Sequence, residues 1–569
     1  MKPAAAASRS LALSALLLAA CSTSQPPVQE EVAVEKTVSA RATMPVGQPA
    51  PAPLSISGSA NRAVAPMMYG PPPPYAPPAL VMVAPQGMDK FPDKEANKSV
   101  LVSEQPVSTF SADVDTASYA FVRRMLSSGR MPAPDAVRVE EMVNYFPYRY
   151  AGPRSAAEPF AVSTTVLPSP WHAGKQLVHI AVRGYDIQTA ERPRANVVLL
   201  VDVSGSMGPS DRLPLLKQGF RLFAQQLRDE DRVAIVSYAD GTRVVLEPTA
   251  GKDKGKILDA IDSLRAGGGT AGGEGLQRAY EMAERNFDPK AVNRVILATD
   301  GDFNLGITDP KQLQNFIAGK RKTGVYLSIF GVGAGNLNDA LMQRLSQTGN
   351  GNAAYIDSLL EARKAMGEEL GSTMFPIAND VKVQVEFNPA KVAAYRLIGY
   401  ETRMLQRQDF KDDKVDAGDM GAGHTVTAIY EITPAGDAGK LADPLRYGAA
   451  AKPGKAGKGK AAAGHGDELC FVKLRYKLPG KTVSREMSHP VLASAAHQRF
   501  DDAPADQRFA VAVAAFGQRL RGEPDLADTG YGRIAELANA ARGDDPEGYR
   551  AEFVKLVRMA DTLGQAGQP

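Results

Sequence analysis

From Asn196 to Val203 (NVVLLVDV) the chain is apolar almost without a break, as a strand covered on both faces must be. The segment after it spaces Leu213, Leu216, Phe220, Phe223 and Leu227 by three and four, which predicts an amphipathic helix. The alternation continues to about residue 374. Strands are expected at Arg232–Tyr238, Thr242–Leu246, Arg294–Ala298, Val325–Val332 and Ala353–Asp357, and helices near 253–264, 273–287, 309–320, 337–347 and 358–373. Strand and helix in turn predict an α/β fold over 195–374, a doubly wound, mostly parallel sheet.

On both sides of this stretch the period changes to two. Phe160, Val162, Thr164 and Val166 alternate with polar neighbours, as do Val178, Ile180 and Val182. The same pattern returns at Val381, Val383, Val385 and Phe387, at Val426, Ala428, Tyr430 and Ile432, and at Cys470, Val472, Leu474 and Tyr476. The expectation is one β-sandwich interrupted by the α/β domain, with 160–183 pairing in one sheet system with 381–387 and 426–432 and with Cys470 a buried core thiol. Helical spacing is present at 118–127 and 137–146, and again beyond 490 at Phe509, Val513, Phe516 and Leu520 and at Phe553, Leu556 and Leu563. These last predict a C-terminal helical region.

The amino terminus reads as an address. Lys2 and Arg9 precede the short apolar run Leu11–Ala20, which suits the core of a secretory signal and is too short to span a bilayer. The run ends in Leu18-Ala19-Ala20-Cys21, which resembles the lipobox of bacterial lipoproteins. That resemblance implies cleavage before Cys21, lipidation of its thiol and a stable membrane anchor, since each buried methylene contributes about 0.8 kcal/mol. An ordinary small-residue cleavage site is the competing reading. Ser22 stands where an aspartate would mark inner-membrane retention in that family, so the outer membrane is favoured, facing either the periplasm or the exterior.

The expected organisation is therefore a lipoprotein signal peptide at 1–20, a disordered Pro/Ala-rich tether at 21–96, an N-terminal helical and β region at 97–194, the α/β domain at 195–374, a β-rich region completing the sandwich at 375–489, and a C-terminal helical region at 490–569. A Lys/Gly/Ala loop occupies 449–466 within the β-rich region. The length of 569 residues by itself suggests about three or four domains.

Composition narrows the chemistry. With 66 basic and 63 acidic residues the formal charge is only +3, which argues against a nucleic-acid partner. The only two cysteines, Cys21 and Cys470, cannot build a disulfide framework, and the six histidines show no zinc spacing. Instead, oxygen ligands gather where open α/β sheets place their function, at the carboxyl ends of strands. Asp202-Val-Ser204-Gly-Ser206 follows the first strand, Gly267-Gly-Gly-Thr270 precedes a later helix, and Thr299-Asp300-Gly301-Asp302 follows another strand. Two carboxylates and three hydroxyls form a hard-oxygen set that suits Mg²⁺, with Mn²⁺ and Ca²⁺ as alternatives.

DxSxS after a buried strand, a distant Thr and a TDG turn resemble the metal-ion-dependent adhesion site (MIDAS) of von Willebrand factor type A domains, whose sheet is Rossmann-like. All five positions match: Asp202, Ser204, Ser206, Thr270 and Asp300. The flanking segments FSADVDTASYAFVRRML, GGTAGGEGLQRAYEMAE and TDGDFNLG resemble a bacterial lipoprotein family that combines such a domain with its own N- and C-terminal regions. The resemblance implies that the metal bridges to an Asp or Glu carboxylate of a protein partner; in related domains ligand binding can shift the last helix, here 358–373. Asp302 is either a support for the ligands or a stabiliser of its turn.

Rival motifs are weaker. Gly267-x-Gly269-x-x-Gly272 has the letters of a dinucleotide fingerprint but does not close the first strand–helix unit. No general base or activated nucleophile accompanies the oxygen set, so no catalytic residue is assigned and an enzyme is not expected. The first expectation is thus a lipid-anchored envelope protein that binds a protein partner through the metal. The alternative is a structural or assembly factor of the envelope in which the metal mainly stabilises the fold, and a metal-dependent hydrolase ranks last.

Overall fold

The structure is a computed structural model that describes residues 89–566, apart from 93–94, 113–114, 156, 189–190, 270–273, 302–308, 336, 369–373 and 437–464. The signal segment, Cys21, the Pro-rich stretch, Thr270, Asp302 and most of the Lys-rich loop lie outside the described residues.

The central sheet has six strands in the order Ala353–Ile356, Val325–Val332, Ala291–Thr299, Arg194–Asp202, Arg232–Tyr238, Thr242–Ala250. All neighbours are parallel except the last pair, which is a hairpin edge. Alternate residues of Arg194–Asp202 serve the two faces. Val197, Leu199 and Val201 pack with Leu216, Phe220 and Ile257 from helices Leu213–Gln226 and Lys254–Ser263. Val198 and Leu200 pack on the other side with Leu276 and Tyr280 of Gly275–Arg285 and Ile317 of Pro310–Lys322. Covering on both faces explains the unbroken apolar run.

Two antiparallel sheets form the sandwich. One runs Val100–Leu101, Val392–Ile398, Thr425–Pro434, Gln176–Gly184, Phe160–Pro168. The other runs Met404–Leu405, Val107–Ser111, Pro376–Phe387, Glu468–Lys477, Ser484–Leu492. Their inner faces share one core, including Val178, Val182, Val383, Val385 and Tyr430. Cys470 belongs to it, and burial pushes its thiol up to about 12. The expected single sheet system is thus two facing sheets. Strand Thr425–Pro434 pairs directly with Gln176–Gly184, whereas Pro376–Phe387 lies opposite them.

Two elements differ from the sequence expectation. Within the helix expected over 358–373, Leu359–Arg363 is α-helical and Lys364–Glu368 continues it as a π-helical turn, while 369–373 lie outside the described residues. There Met366 packs against helix Leu213–Gln226 at Gly219, where a Cβ would sit 2.5 Å from the Met366 sulfur. In the N-terminal region, Val107–Ser111 is a fully buried strand between Met404–Leu405 and Pro376–Phe387, which the helical spacing of its surroundings concealed. Moreover, the helical layer is not solely C-terminal. Helices Ala117–Ser127 and Val139–Asn144 join Ala505–Leu520, Tyr531–Ala540 and Tyr549–Ala566 in one core, which also takes in Leu177, Ala181 and Ile429 of the first sandwich sheet.

Candidate metal centre

Parallel pairing of Arg194–Asp202 with Ala291–Thr299 brings the carboxyl ends of the two strands side by side. Asp202 ends the first strand and Asp300 follows the second, and both are buried. The chain after Asp202 turns back on its carboxylate. Ser204 N donates to Asp202 Oδ1 at 2.9 Å, and the Ser204 and Ser206 hydroxyl oxygens lie 3.0 Å apart. Asp202 Oδ2 accepts from the Tyr238 hydroxyl at 3.2 Å and the Thr299 hydroxyl at 3.4 Å. Burial raises the Asp202 pKa above the ordinary carboxylate value and the charge of Asp300 adds to the rise, against hydrogen bonds from Ser204 and Tyr238.

The glycine loop is tied to the same turn. Gly267 N donates to Val203 O at 2.8 Å, and Gly205 N donates to Gly268 O at 2.9 Å. Gly268 has φ +81°, and a Cβ there would sit 2.3 Å from the Asp240 carboxylate, so the loop's close approach requires glycine. Thr270 itself lies beyond the described part of this loop.

Of the five residues expected from sequence, Asp202, Ser204, Ser206 and Asp300 gather at one place. Sequence reasoning did not anticipate two neighbours, Tyr238 and Arg212, and assigned no role to Thr299 of the TDG turn. Tyr238 and Thr299 hold Asp202, as above. Arg212, six residues past Ser206, donates from Nη1 to Asp300 Oδ2 at 2.5 Å and to Ser206 O at 2.8 Å, and from Nη2 to Ala334 O at 3.2 Å. Nothing in the sequence marks Arg212 out from other charged residues at a helix start.

The donor set fits a hard dication. Two buried carboxylates of like charge stand beside paired hydroxyls, and a cation relieves both the burial and the mutual repulsion of the carboxylates. Among the described residues one other set of acidic and histidine side chains converges, His172, Glu431 and Asp525. Its centre is already taken by protein donors. Glu431 accepts from Trp171 Nε1 at 2.8 Å and Lys175 Nζ at 2.9 Å and pairs with His172 Nδ1 at 2.7 Å. That cluster is an internal ion-pair network between sheet and helices.

Comparison with known proteins places the chain. Residues 197–302 match the von Willebrand factor type A domain, residues 85–179 match a family described as von Willebrand factor, and residues 372–563 match the family described as "Uncharacterized protein YfbK, C-terminal". The Escherichia coli (strain K12) protein YfbK is 43% identical over 493 residues, covering 85% of this chain and 83% of the relative. The protein sll0103 of Synechocystis is 27% identical over 167 residues, covering 29% of this chain and 39% of the relative. Among solved structures, a von Willebrand factor type A protein from Catenulispora acidiphila aligns with a TM-score of 0.40 at 18% identity, covering 73% of this chain and 91% of that one. Von Willebrand A domains commonly bind a divalent metal at a MIDAS and generally mediate protein–protein interactions. The chain belongs to the YfbK family and carries a von Willebrand factor type A domain at its centre.

Proposed function

We propose that this protein is tethered to the cell envelope through a lipidated Cys21 and binds a protein partner through a divalent cation, Mg²⁺ first, held by Asp202, Ser204, Ser206, Thr270 and Asp300. The observation that carries the reading is the convergence of buried Asp202 and Asp300 with the Ser204–Ser206 hydroxyl pair at the carboxyl edge of the sheet. When bound, the cation offers a coordination position to an Asp or Glu carboxylate of the partner, a charge-assisted contact that depends on direction.

The chain's own residues do the preparing. Ser204 N and the Tyr238 hydroxyl fix the orientation of the Asp202 carboxylate, and the backbone bond from Gly205 to Gly268 holds the serine turn against the glycine loop. Among the described residues the Tyr238 and Thr299 hydroxyls and Arg212 contact this set, which suits a binding site. Crosslinking on intact envelopes, with and without chelator, tests the reading. Partner adducts lost both with chelator and in Asp202→Ala are expected, and adducts unchanged in both would contradict it. For the anchor, mass spectrometry should find Cys21 lipidated at the mature amino terminus. An unmodified terminus elsewhere would overturn that part.

A further inference from the structure

Directly beyond the serine turn lies a cleft of about 590 Å³ that begins at Met207 and Gly208 and runs along helix Leu213–Gln226. Its lining includes apolar Leu213 and three cations, Lys217, Arg221 and Arg265, against one carboxylate, Asp262. The cations are gathered at the end of helix Lys254–Ser263. Lys217 Nζ donates to Asp262 O at 2.9 Å and Leu264 O at 3.1 Å, Arg265 Nη1 to Leu264 O at 2.9 Å, and Arg221 Nη2 to Asp262 Oδ1 at 2.5 Å. Burial lowers the Lys217 pKa, and Arg265 and Arg221 push the same way against Asp262. The cleft therefore carries net positive charge and some mutual repulsion of its cations, which an anionic occupant would relieve.

We infer that this cleft receives an acidic stretch of the partner protein, flanking the carboxylate that binds at the metal centre. The inference rests on the metal-binding reading above and specifies its partner. From Leu213 to Arg221 the helix rises roughly 12 Å, a distance covered by about four residues of extended chain. An acidic stretch that follows the helix thus spreads over about four positions of the partner chain. Buried Met207 and Leu213 give the cleft an apolar part of its lining at the end next to the serine turn.

The test uses synthetic peptides as probes and the full chain in Mg²⁺. Each dodecapeptide carries one Asp and a run of Glu on one side, or the same sequence with Gln in place of Glu, and affinity is read by fluorescence polarisation. The Glu peptide should bind roughly tenfold tighter, as expected for three weak exposed ion pairs, and added salt should erase the difference. Arg221→Gln with Arg265→Gln should bring the two peptides within about twofold of each other, and Arg221→Gln alone should have an intermediate effect. Melting curves establish that both variants fold. Equal affinity of Glu and Gln peptides for the wild type, or no binding of either, overturns the inference. Discrimination that survives chelator and Asp202→Ala supports the cleft and contradicts the metal reading. Loss of all binding in Asp202→Ala, with equal affinities in the wild type, leaves the metal reading standing and removes the cleft.

Discussion

The Arg212 guanidinium lies 2.5 Å from a carboxylate oxygen of Asp300, on the same side chain that would hold the cation. One of the two negative charges of the site is therefore already offset by the protein. A cation entering the site has to share Asp300 with Arg212, while Arg212 also braces the serine turn through Ser206 O and the next loop through Ala334 O.

From this, Arg212→Gln should tighten Mg²⁺ binding roughly tenfold, equivalent to about 1.4 kcal/mol, because the competing charge is gone. The same variant should melt at lower temperature without metal, since Asp202 and Asp300 then repel each other uncompensated. Calorimetric titration and a melting curve with chelator check both halves. Weaker metal binding would mean that Arg212 supports the site chiefly as a brace.

The sandwich should carry a pH sensitivity of its own. His179 is buried, its Nε2 lies 3.2 Å from the Tyr150 hydroxyl, and burial holds its pKa down to about 4. Unfolded, the imidazole titrates near about 6.5. Below that pH the unfolded chain gains a proton that the folded chain refuses, so stability present above about 6.5 is lost as pH falls toward about 4, up to about 3 kcal/mol. His179→Asn should flatten the fall in melting temperature across this window. An unchanged slope would remove His179 from the acid response.

A second acid response lies lower. Burial pushes the Glu431 pKa up, but hydrogen bonds from His172 and Lys175 and the nearby Arg396 charge outweigh it and hold the carboxyl below its ordinary value. Such a group contributes stability above its unfolded pKa of about 4.3 and loses it as pH falls through the lower folded value. Glu431→Ala leaves Arg396, only 6% exposed at its side chain, and Lys175 without this partner. It should cost about 3 kcal/mol at neutral pH. Denaturant titrations at pH 7 and below pH 4 should show the difference between variant and wild type shrinking in acid.

What the sequence made legible follows from burial on two faces or one. Strand Arg194–Asp202 was plain because every residue after Arg194 is buried, and the motif after it lies on one short turn. Strand Val107–Ser111 was not. Its polar members are buried too, satisfied at a distance: Ser108 accepts from the Tyr430 hydroxyl at 2.9 Å, Thr109 from Gln384 at 3.1 Å and Ser111 from Gly418 N at 2.8 Å. No local pattern announces hydrogen bonds to residues hundreds of positions away. The same holds for Arg123, whose guanidinium joins Asp357, Glu361 and Glu552 and so ties an N-terminal helix to the central domain and to the last helix. At the metal centre the ligand types were readable from DxSxS and TDG, whereas the Arg212 counter-charge arises only from folding.

The most direct test of the account is calorimetric titration of Mg²⁺ into the full-length protein and into Asp202→Ala, with melting curves establishing that both are folded. Saturable binding of one ion to the wild type and none to the variant is expected. Binding that is the same in both, or absent from the wild type, would contradict it.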